Sequence, residues 1–187
     1  TLVELEGGRF HLRQLNADKD GSFYDLTTFY APDEVVEGVG VCAIVMGDTH
    51  VDYIARHVHK ATFGPGGMVD TLNPEVLVWH DLLDAYSVNP HHQGNPFIGV
   101  AKMQAGRANV FEEVSRAAAF VARHTPKGCQ SVVVPSNHND FLARWILSTD
   151  WRSNPDGIRY GYTSAERAPH LWGGFSQYVY LPWNAVV

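Results

Sequence analysis

The chain has 187 residues, of which 45% are hydrophobic, enough to bury a core as one domain or as part of a larger protein. Its fourteen Lys and Arg are outnumbered by twenty Asp and Glu, and the net charge of −6 is not that of a basic nucleic-acid-binding surface. Bound divalent cations would reverse this sign locally, so the charge does not exclude a nucleic-acid substrate.

Targeting signals are not evident in the sequence. No apolar stretch approaches the roughly 20 residues that span a bilayer, and the first residues have neither the basic region nor the apolar core of a signal peptide. Cys42 and Cys129 lie beside apolar runs in different segments, and we expect both to be buried free thiols in a reducing compartment. These features predict a cytoplasmic protein with no membrane partner.

The chain divides near residue 38. Residues 10–15 are predicted to form a strand and residues 16–21 a turn, and residues 22–38 have a mixed pattern. We expect residues 1–38 to wrap the core as an N-terminal segment and residues 39–187 to form the main domain.

Three apolar runs of the main domain are typical of buried strands, and each ends in polar residues. The runs are 41–46, 76–79 and 131–134. The polar groups that follow them are Gly47-Asp48-Thr49-His50, His80-Asp81-Leu82-Leu83-Asp84 and Ser136-Asn137-His138-Asn139-Asp140. Because ligands of open α/β sheets bind at the carboxyl ends of the strands, the pattern predicts one composite site at one edge of a sheet.

Helical patterns alternate with these strands. A helix is predicted directly after His50 on the spacing of Val51, Ile54, Ala55 and Val58, and a second is predicted over 108–124. A third helix follows the last polar group, and residues 89–96 form a loop rich in Pro, His and Gly. This order predicts an α/β fold with a mostly parallel sheet covered by helices.

Each polar group has a simpler interpretation when it is taken singly. Asp48 and His50 could cap a helix, His80-Asp81 could be a strand-end pair, and Asn137-His138 could form a turn. Their shared position at three strand ends favours a common site. Carboxylate oxygen, imidazole nitrogen and amide oxygen together suit borderline divalent ions such as Mn²⁺, Zn²⁺ or Fe²⁺.

In this order the three groups resemble the first motifs of the calcineurin-like metallophosphoesterases, which read G-D-x-H, G-D-x-x-D and G-N-H-D/E. The resemblance covers residues 40–150 and implies a metallophosphoesterase-like α/β sandwich. It implies two divalent ions, with Mn favoured and Zn, Fe or Mg as alternatives. Asp48 and His50 would bind the first ion, Asp81 would bridge both, and Asn137 would bind the second. His138 would be the catalytic histidine.

The sequence departs from the family pattern at several positions. His80 and Ser136 replace glycines, and Asn139 stands where the family has an acid, with Asp140 one place later. The family also uses a later G-H-x-H segment for metal binding, but the only histidine after His138 is His170. We expect the domain to be truncated before those ligands; the alternative is a second ion held poorly or by an atypical ligand such as His170.

Other side chains are candidates for supporting or substrate-binding roles. His57 and His59 are expected on the polar surface of the first helix, and Trp145 in the core. Arg107 and Arg144 are candidate phosphate contacts, and Trp151 and Trp172 could stack on bases. The candidates for supporting the metals or contacting substrate are Asp84, His80, His91, His92, Asp140 and His170.

The predicted function is metal-dependent hydrolysis of a phosphodiester, with DNA favoured over RNA as substrate. Within the family, residues 137–155 are most similar to phage proteins of the DNA-transfer and host-DNA-degradation type. This similarity implies a nuclease acting in the cytoplasm of the host cell. A catalytically inactive relative that serves as a binding or assembly module is the alternative.

Overall fold

The computed structural model describes residues 1–92 and 94–148, which form a mixed α/β structure. The strands in that part are β1 (Leu2–Glu6), β2 (Arg9–Arg13), β3 (Phe23–Asp25), β4 (Thr28–Tyr30), β5 (Val35–Glu37), β6 (Ala43–Asp48), β7 (Val76–His80) and β8 (Gln130–Val133). The α-helices are α1 (Arg56–Phe63), α2 (Met68–Leu72), α3 (Pro96–Gln104), α4 (Val110–His124) and α5 (Asn137–Ser148).

The three predicted strands of the main domain form one parallel sheet in the order β6-β7-β8. Val45 pairs with Val78 and Val78 with Val132, so the three apolar runs lie in register. Asp48 pairs with His80 at the carboxyl end. The predicted parallel sheet is confirmed, and its geometry brings the strand-end polar groups to one edge.

The central strand β7 supplies the middle of the core. Leu77 and Trp79 alternate with more exposed neighbours and are fully buried. The Trp79 ring packs against Phe63 of α1 and Phe120 of α4, with centroid separations of 5.8 and 6.0 Å. Its indole N–H donates to Ser131 Oγ at 3.0 Å, so burial of the ring leaves no unpaired donor.

The opposite face of the sheet is less covered. Val45 is 71% exposed and Val132 is 36% exposed in the paired row that crosses the three strands. Helices α1 and α4 therefore pack on the face that carries Trp79, and the expectation of a sheet covered by helices is confirmed for that face. Trp145 of α5 is buried in the core, as predicted.

Two of the five described α-helices agree with the sequence patterns, whereas α1 differs in its start and α2 and α3 were not predicted. Helix α4 lies where the sequence predicts it, and α5 is confirmed as a helix but begins at Asn137, inside the third polar group and not after it. The predicted start of the helix after His50 was wrong. Residues 51–53 form a single 3-10 turn, Ala55 is extended, and α1 begins at Arg56. Helix α3 was missed, since its run of apolar residues gives no clear polar face, although Asn95 caps it and Pro96 starts it.

Residues 1–37 form two small antiparallel sheets, β1-β2 and β3-β4-β5. Arg13 joins them, since its guanidinium donates to Glu4 at 2.7 Å and to Asp25 at 2.7 Å. The described members of the apolar core lie between residues 41 and 145. That residues 1–38 wrap this core stays a prediction.

Two expectations about class and compartment can be compared with the structure. Among the described helices, none is long and apolar enough to cross a membrane. Cys42 and Cys129 are free thiols, as predicted, but Cys42 is exposed and Cys129 is only partly buried, so the expected burial was wrong. Both flank strand ends, where apolar sequence neighbours do not guarantee burial.

A pair of histidines joins α1 to α4. His59 Nε2 lies 3.0 Å from His124 Nε2, and His124 Nδ1 lies 2.8 Å from the carbonyl oxygen of Phe120. Because a carbonyl only accepts, Nδ1 of His124 holds the proton, and its Nε2 must accept from the N–H of His59. His59 is therefore partly buried in a packed contact and is not the surface residue that the sequence predicted.

This pair predicts a pH-dependent stability. Burial lowers the pKa of His124, and the nearby His59 and Arg123 lower it further. The stabilisation is complete above about pH 6.5, where histidine is neutral in both states, and it is lost as the pH falls below that value, because the unfolded chain takes up the proton more readily. We expect the free energy of unfolding, measured by urea denaturation, to fall between pH 7.5 and pH 5.5.

His124→Gln should reduce the change in the free energy of unfolding between pH 7.5 and pH 5.5. At pH 7.5 it should also lower the free energy of unfolding by about 0.5–1.5 kcal/mol, because the hydrogen bond to His59 is lost. His57→Gln is the matched control, because His57 is exposed on the same helix as His59. An unchanged pH dependence in His124→Gln would show that His124 is not the source of the fall in stability.

Candidate metal centre

Asp48, His80 and Asp81 form the first group of potential metal ligands. One ligand atom from each lies within 4.8 Å of those of the other two. His80 Nδ1 is 3.1 Å from Asp48 Oδ1 and 3.6 Å from Asp81 Oδ2. Strands β6 and β7 pair at this point, so the group is a direct result of the register between Asp48 and His80.

His50, Asp84 and His138 form a second group with the same spacing, within 4.8 Å of one another. His50 Nδ1 is 3.5 Å from Asp84 Oδ1, and the His50 and His138 rings meet edge to face with centroids 4.6 Å apart. His138 Nδ1 lies 3.1 Å from the carbonyl oxygen of Asp84. This contact fixes the proton on Nδ1 and leaves Nε2 as the other functional nitrogen.

The backbone connects the two groups. The N–H of Thr49 donates to the carbonyl of His80 at 3.1 Å, that of His50 to Asp81 at 2.7 Å, and that of Val51 to Leu82 at 3.1 Å. The ladder between β6 and β7 thus continues into the loops that carry the polar side chains. His50 and Asp81 both have a positive φ, at 38° and 43°. Such conformations are uncommon for residues with a side chain and cluster at functional sites.

Two atoms of these groups fit a cation. Asp81 is only 4% exposed, and its Oδ1 is buried with no hydrogen-bond partner in the described part of the chain. His50 Nδ1 is likewise buried without a hydrogen bond there. A buried carboxylate that lacks a partner is costly, and coordination of a cation would remove that cost. Asp and His are also the oxygen and nitrogen donors that Mn²⁺ and Zn²⁺ accept.

The predicted site residues thus come together as two sets. Asp48 and His50, assigned by resemblance to one ion, fall in different groups. His80 and Asp84, predicted only in supporting roles, supply potential ligand atoms to these groups. Asn137 begins α5 next to His138 and is exposed, and its predicted role as a ligand stays a prediction.

Asn139 holds two of the strand-end loops together. It is 1% exposed, its Oδ1 accepts from the N–H of Leu83 at 3.3 Å, and its Nδ2 donates to the carbonyl of Val134 at 3.4 Å. The loop after β7 is thereby tied to the end of β8. The sequence marked Asn139 only as a departure from the acid of the family pattern, and its structural role was missed.

Asn139→Ala should destabilise the fold by about 1–3 kcal/mol, because it leaves a buried N–H and a carbonyl without this partner. The measurement is urea denaturation monitored by circular dichroism. Asn16→Ala is the matched control, since Asn16 is exposed in the N-terminal segment and should change the free energy of unfolding by less than about 0.5 kcal/mol. Equal changes in the free energy of unfolding for the two variants would contradict the role of Asn139 in connecting the loop after β7 to the end of β8.

The remaining candidates lie around the second group or outside the described residues. The His91 ring contacts Phe141 at 5.8 Å, and Phe141 contacts His138 at 5.1 Å, so His91 stands one ring away from His138. His92 packs on Tyr86, and its pKa is lowered by burial and by Lys102. Asp140 is exposed in the first turn of α5. His170, Trp151 and Trp172 lie outside the described residues.

Two tyrosines beside the second group were not predicted. Tyr53 follows His50 in the 3-10 turn of residues 51–53, and Tyr86 follows Asp84. Burial raises the pKa of Tyr53, as does the Asp84 carboxylate, whereas the Arg107 guanidinium lowers it. Tyr53 therefore lies within electrostatic range of Asp84 and of Arg107. Proximity in sequence to the motifs was the only signal that could have identified these tyrosines.

Comparison with known proteins gives one informative similarity. No family model matches the sequence, and no solved structure matches it. The sequence is similar to Protein A1 of Escherichia phage T5, with 32% identity over 151 residues that cover 78% of this chain and 27% of the relative. The chain thus spans about a quarter of the length of that phage protein.

Proposed function

We propose that this chain is a metal-dependent phosphodiesterase of the metallophosphoesterase type that acts on DNA. The observation that supports this proposal best is the pair of Asp/His groups at the carboxyl end of the parallel sheet, with Asp81 Oδ1 and His50 Nδ1 buried and without hydrogen bonds. Sites of this composition, rich in oxygen and nitrogen donors, suit two-metal hydrolysis.

Asp48, His50, His80 and Asp81 are the residues that would hold the ions, with Asn137 as a further ligand on the family resemblance. Asp81 is the best candidate for a shared ligand, because it is the most buried carboxylate of the two groups and one of its oxygens has no hydrogen bond in the described structure. Bound ions would act as Lewis acids toward a phosphoryl oxygen and would lower the pKa of the attacking water.

His138 is proposed to protonate the leaving oxygen. Its Nδ1–H is held by the carbonyl of Asp84, which leaves Nε2 to carry the proton that is transferred. The edge-to-face contact with His50 and the contact with Phe141 hold the ring in place. Asp84 thereby orients His138 through its backbone and contacts His50 through its side chain.

DNA is proposed as the substrate on two grounds. The similarity of residues 137–155 to phage DNA-transfer and host-DNA-degradation proteins favours it, and the relative in Escherichia phage T5 agrees with a phage origin. On this basis we propose that the activity takes place in the cytoplasm of the host cell.

The test is hydrolysis of bis(p-nitrophenyl) phosphate and of single- and double-stranded DNA by the purified chain, with added Mn²⁺ and with EDTA. Metal content is measured in parallel by mass spectrometry. Hydrolysis of DNA that requires Mn²⁺ would support the proposal. A chain that binds Mn²⁺ and hydrolyses neither substrate would favour the inactive binding or assembly module.

A further inference from the structure

Arg107 lies between two aromatic rings at the border of the second group. Its guanidinium carbon is 4.5 Å from the centroid of Tyr53 and 4.8 Å from that of Tyr86. The side chain is 29% exposed, so it is neither fully buried nor free in solvent. Contact of a guanidinium with aromatic rings restrains its orientation, while its N–H groups lie in the guanidinium plane.

The backbone before Arg107 sets its position. Helix α3 ends at Gln104, and Gly106 follows with a φ of 65°, a left-handed conformation that favours glycine. The N–H of Gly106 donates to Met103 at 3.0 Å, and that of Arg107 donates to Lys102 at 2.8 Å. This pair of bonds is the Schellman motif, and it directs the chain from α3 into α4 with Arg107 at the turn.

The aromatic neighbour Tyr86 is also held in place. The buried Glu113 of α4 accepts from the N–H of Tyr86 at 2.9 Å and from that of Ser87 at 3.1 Å. The short 3-10 turn over Tyr86–Val88 is therefore anchored to α4. The stacked arrangement is built from three separate segments of the chain and does not depend on one loop.

An open cavity of about 290 Å³ lies beside this arrangement, lined by Asp52, Gly106, Arg107 and Arg116. Arg116 donates to both oxygens of Asp52, at 2.9 and 2.7 Å. Arg107 also pairs with Asp52, through a longer ion pair of 3.7 Å. The lining thus contains two arginines and one aspartate. It carries a net positive charge, although the net charge of the chain is −6.

We propose that Arg107, held between Tyr53 and Tyr86, binds a backbone phosphate of DNA next to the phosphodiester that is hydrolysed. The proposal rests on the function proposed above. A planar guanidinium can match a phosphate in a bidentate manner. Tyr53 lies within electrostatic range of Asp84 and in contact with Arg107, so Arg107 supplies its positive charge beside the second group of potential ligands.

The test compares Arg107→Ala and Arg107→Lys with Arg123→Ala. Arg123 is the matched control because it is exposed in the last turn of α4, whereas the proposed subsite lies before the first turn of that helix. Binding of a fluorescein-labelled single-stranded oligonucleotide to the full chain is measured by anisotropy in EDTA at several salt concentrations. Circular dichroism checks that each variant is folded.

Arg107→Ala should weaken binding by on the order of tenfold and lower the salt dependence, the slope of log affinity against log salt concentration, by about 0.7. Arg123→Ala should change neither quantity. Arg107→Lys should keep the salt dependence and lose part of the affinity, because the charge stays and the planar fork is lost. Should Arg107→Ala fail to fold, the comparison of Arg107→Lys with Arg123→Ala decides the matter.

A second measurement separates this proposal from the first. In Mn²⁺, Arg107→Ala should reduce kcat/KM on DNA by about ten times more than on bis(p-nitrophenyl) phosphate, which has no flanking phosphate. Equal losses on both substrates, or wild-type DNA binding by the variant, would overturn the subsite and leave the hydrolase standing. Loss of DNA binding in a chain without hydrolytic activity would retain the subsite and overturn the hydrolase.

Discussion

Asp81→Asn is expected to reduce Mn²⁺-dependent hydrolysis of bis(p-nitrophenyl) phosphate and of DNA to the background rate. Asp81 is the most buried acid of the two ligand groups, and its Oδ1 has no hydrogen bond in the described structure. An amide in its place lacks the charge that would hold two cations together. Metal content, measured by mass spectrometry after gel filtration, should fall together with the rate.

Two further variants calibrate this result. Asp84→Asn should lower the rate by about 10–100-fold, the usual cost of losing a residue that orients a metal ligand. Asp33→Asn makes the same chemical change at an exposed loop between β4 and β5 and should keep full activity. Equal losses in Asp81→Asn and Asp84→Asn, with both folded, would contradict the special role of Asp81.

The metal-free chain gives an independent measure of the same site. Without a cation, the Asp81 carboxylate is buried and lacks a hydrogen bond for one oxygen, and His80 offers only a 3.6 Å contact to the other. Burial of such a charge is unfavourable. In EDTA, Asp81→Asn should therefore unfold at a temperature no lower than wild type, whereas in Mn²⁺ the wild type should be the more stable of the two.

His138→Asn is expected to slow hydrolysis roughly 10²–10⁴-fold, the usual contribution of a positioned general acid. Metal content should stay near that of the wild type, because the proposed role of His138 is to transfer a proton and not to hold a cation. Its Nδ1 is engaged by the carbonyl of Asp84, and only Nε2 is available for the leaving oxygen.

The leaving group distinguishes proton transfer from other roles of His138. The loss should be smaller for p-nitrophenyl esters than for DNA, because nitrophenolate departs with little need of a proton. A loss of bound metal in His138→Asn would instead make it a ligand together with His50 and Asp84, as their spacing within 4.8 Å allows. A variant with wild-type rate and metal content would reduce His138 to a residue that packs on Phe141.

The sheet and the place of the polar groups could be predicted because their signal is local. Continuous apolar runs of strand length, each followed by Asp or His, indicated parallel strands, and β6, β7 and β8 lie where those runs do. Parallel pairing then brings the carboxyl ends to one edge, and it accounts for the contact between Asp48 and His80.

The division of the ligands into two groups could not be predicted in the same way. It involves local backbone conformations that no pattern predicted, since both His50 and Asp81 have a positive φ. A left-handed residue other than glycine leaves little trace in a single sequence. The same holds for the neighbourhood of Arg107, which is assembled from three segments and depends on contacts between residues that are more than 20 positions apart.

The start of α1 shows a further limit. A 3-10 turn followed by a helix has apolar spacings similar to those of one continuous helix, so the pattern after His50 fitted an uninterrupted helix that the chain does not form. His59 was consequently assigned to the wrong surface. Side-chain direction is sensitive to an error of one or two residues in a helix start, even when the presence of the helix is predicted correctly.

The hydrogen-bond ladder that continues past β6 and β7 has a consequence for amide exchange. The N–H groups of Thr49, His50 and Val51 follow β6, where rapid exchange with solvent deuterium would be expected, yet each donates to a backbone carbonyl at the end of β7 or directly after it. Their exchange should require the opening of the sheet edge and not of a single loop. The segments that carry the proposed ligands would then be among the slowest-exchanging parts of the described structure, which would place the proposed chemistry on a rigid part of the molecule.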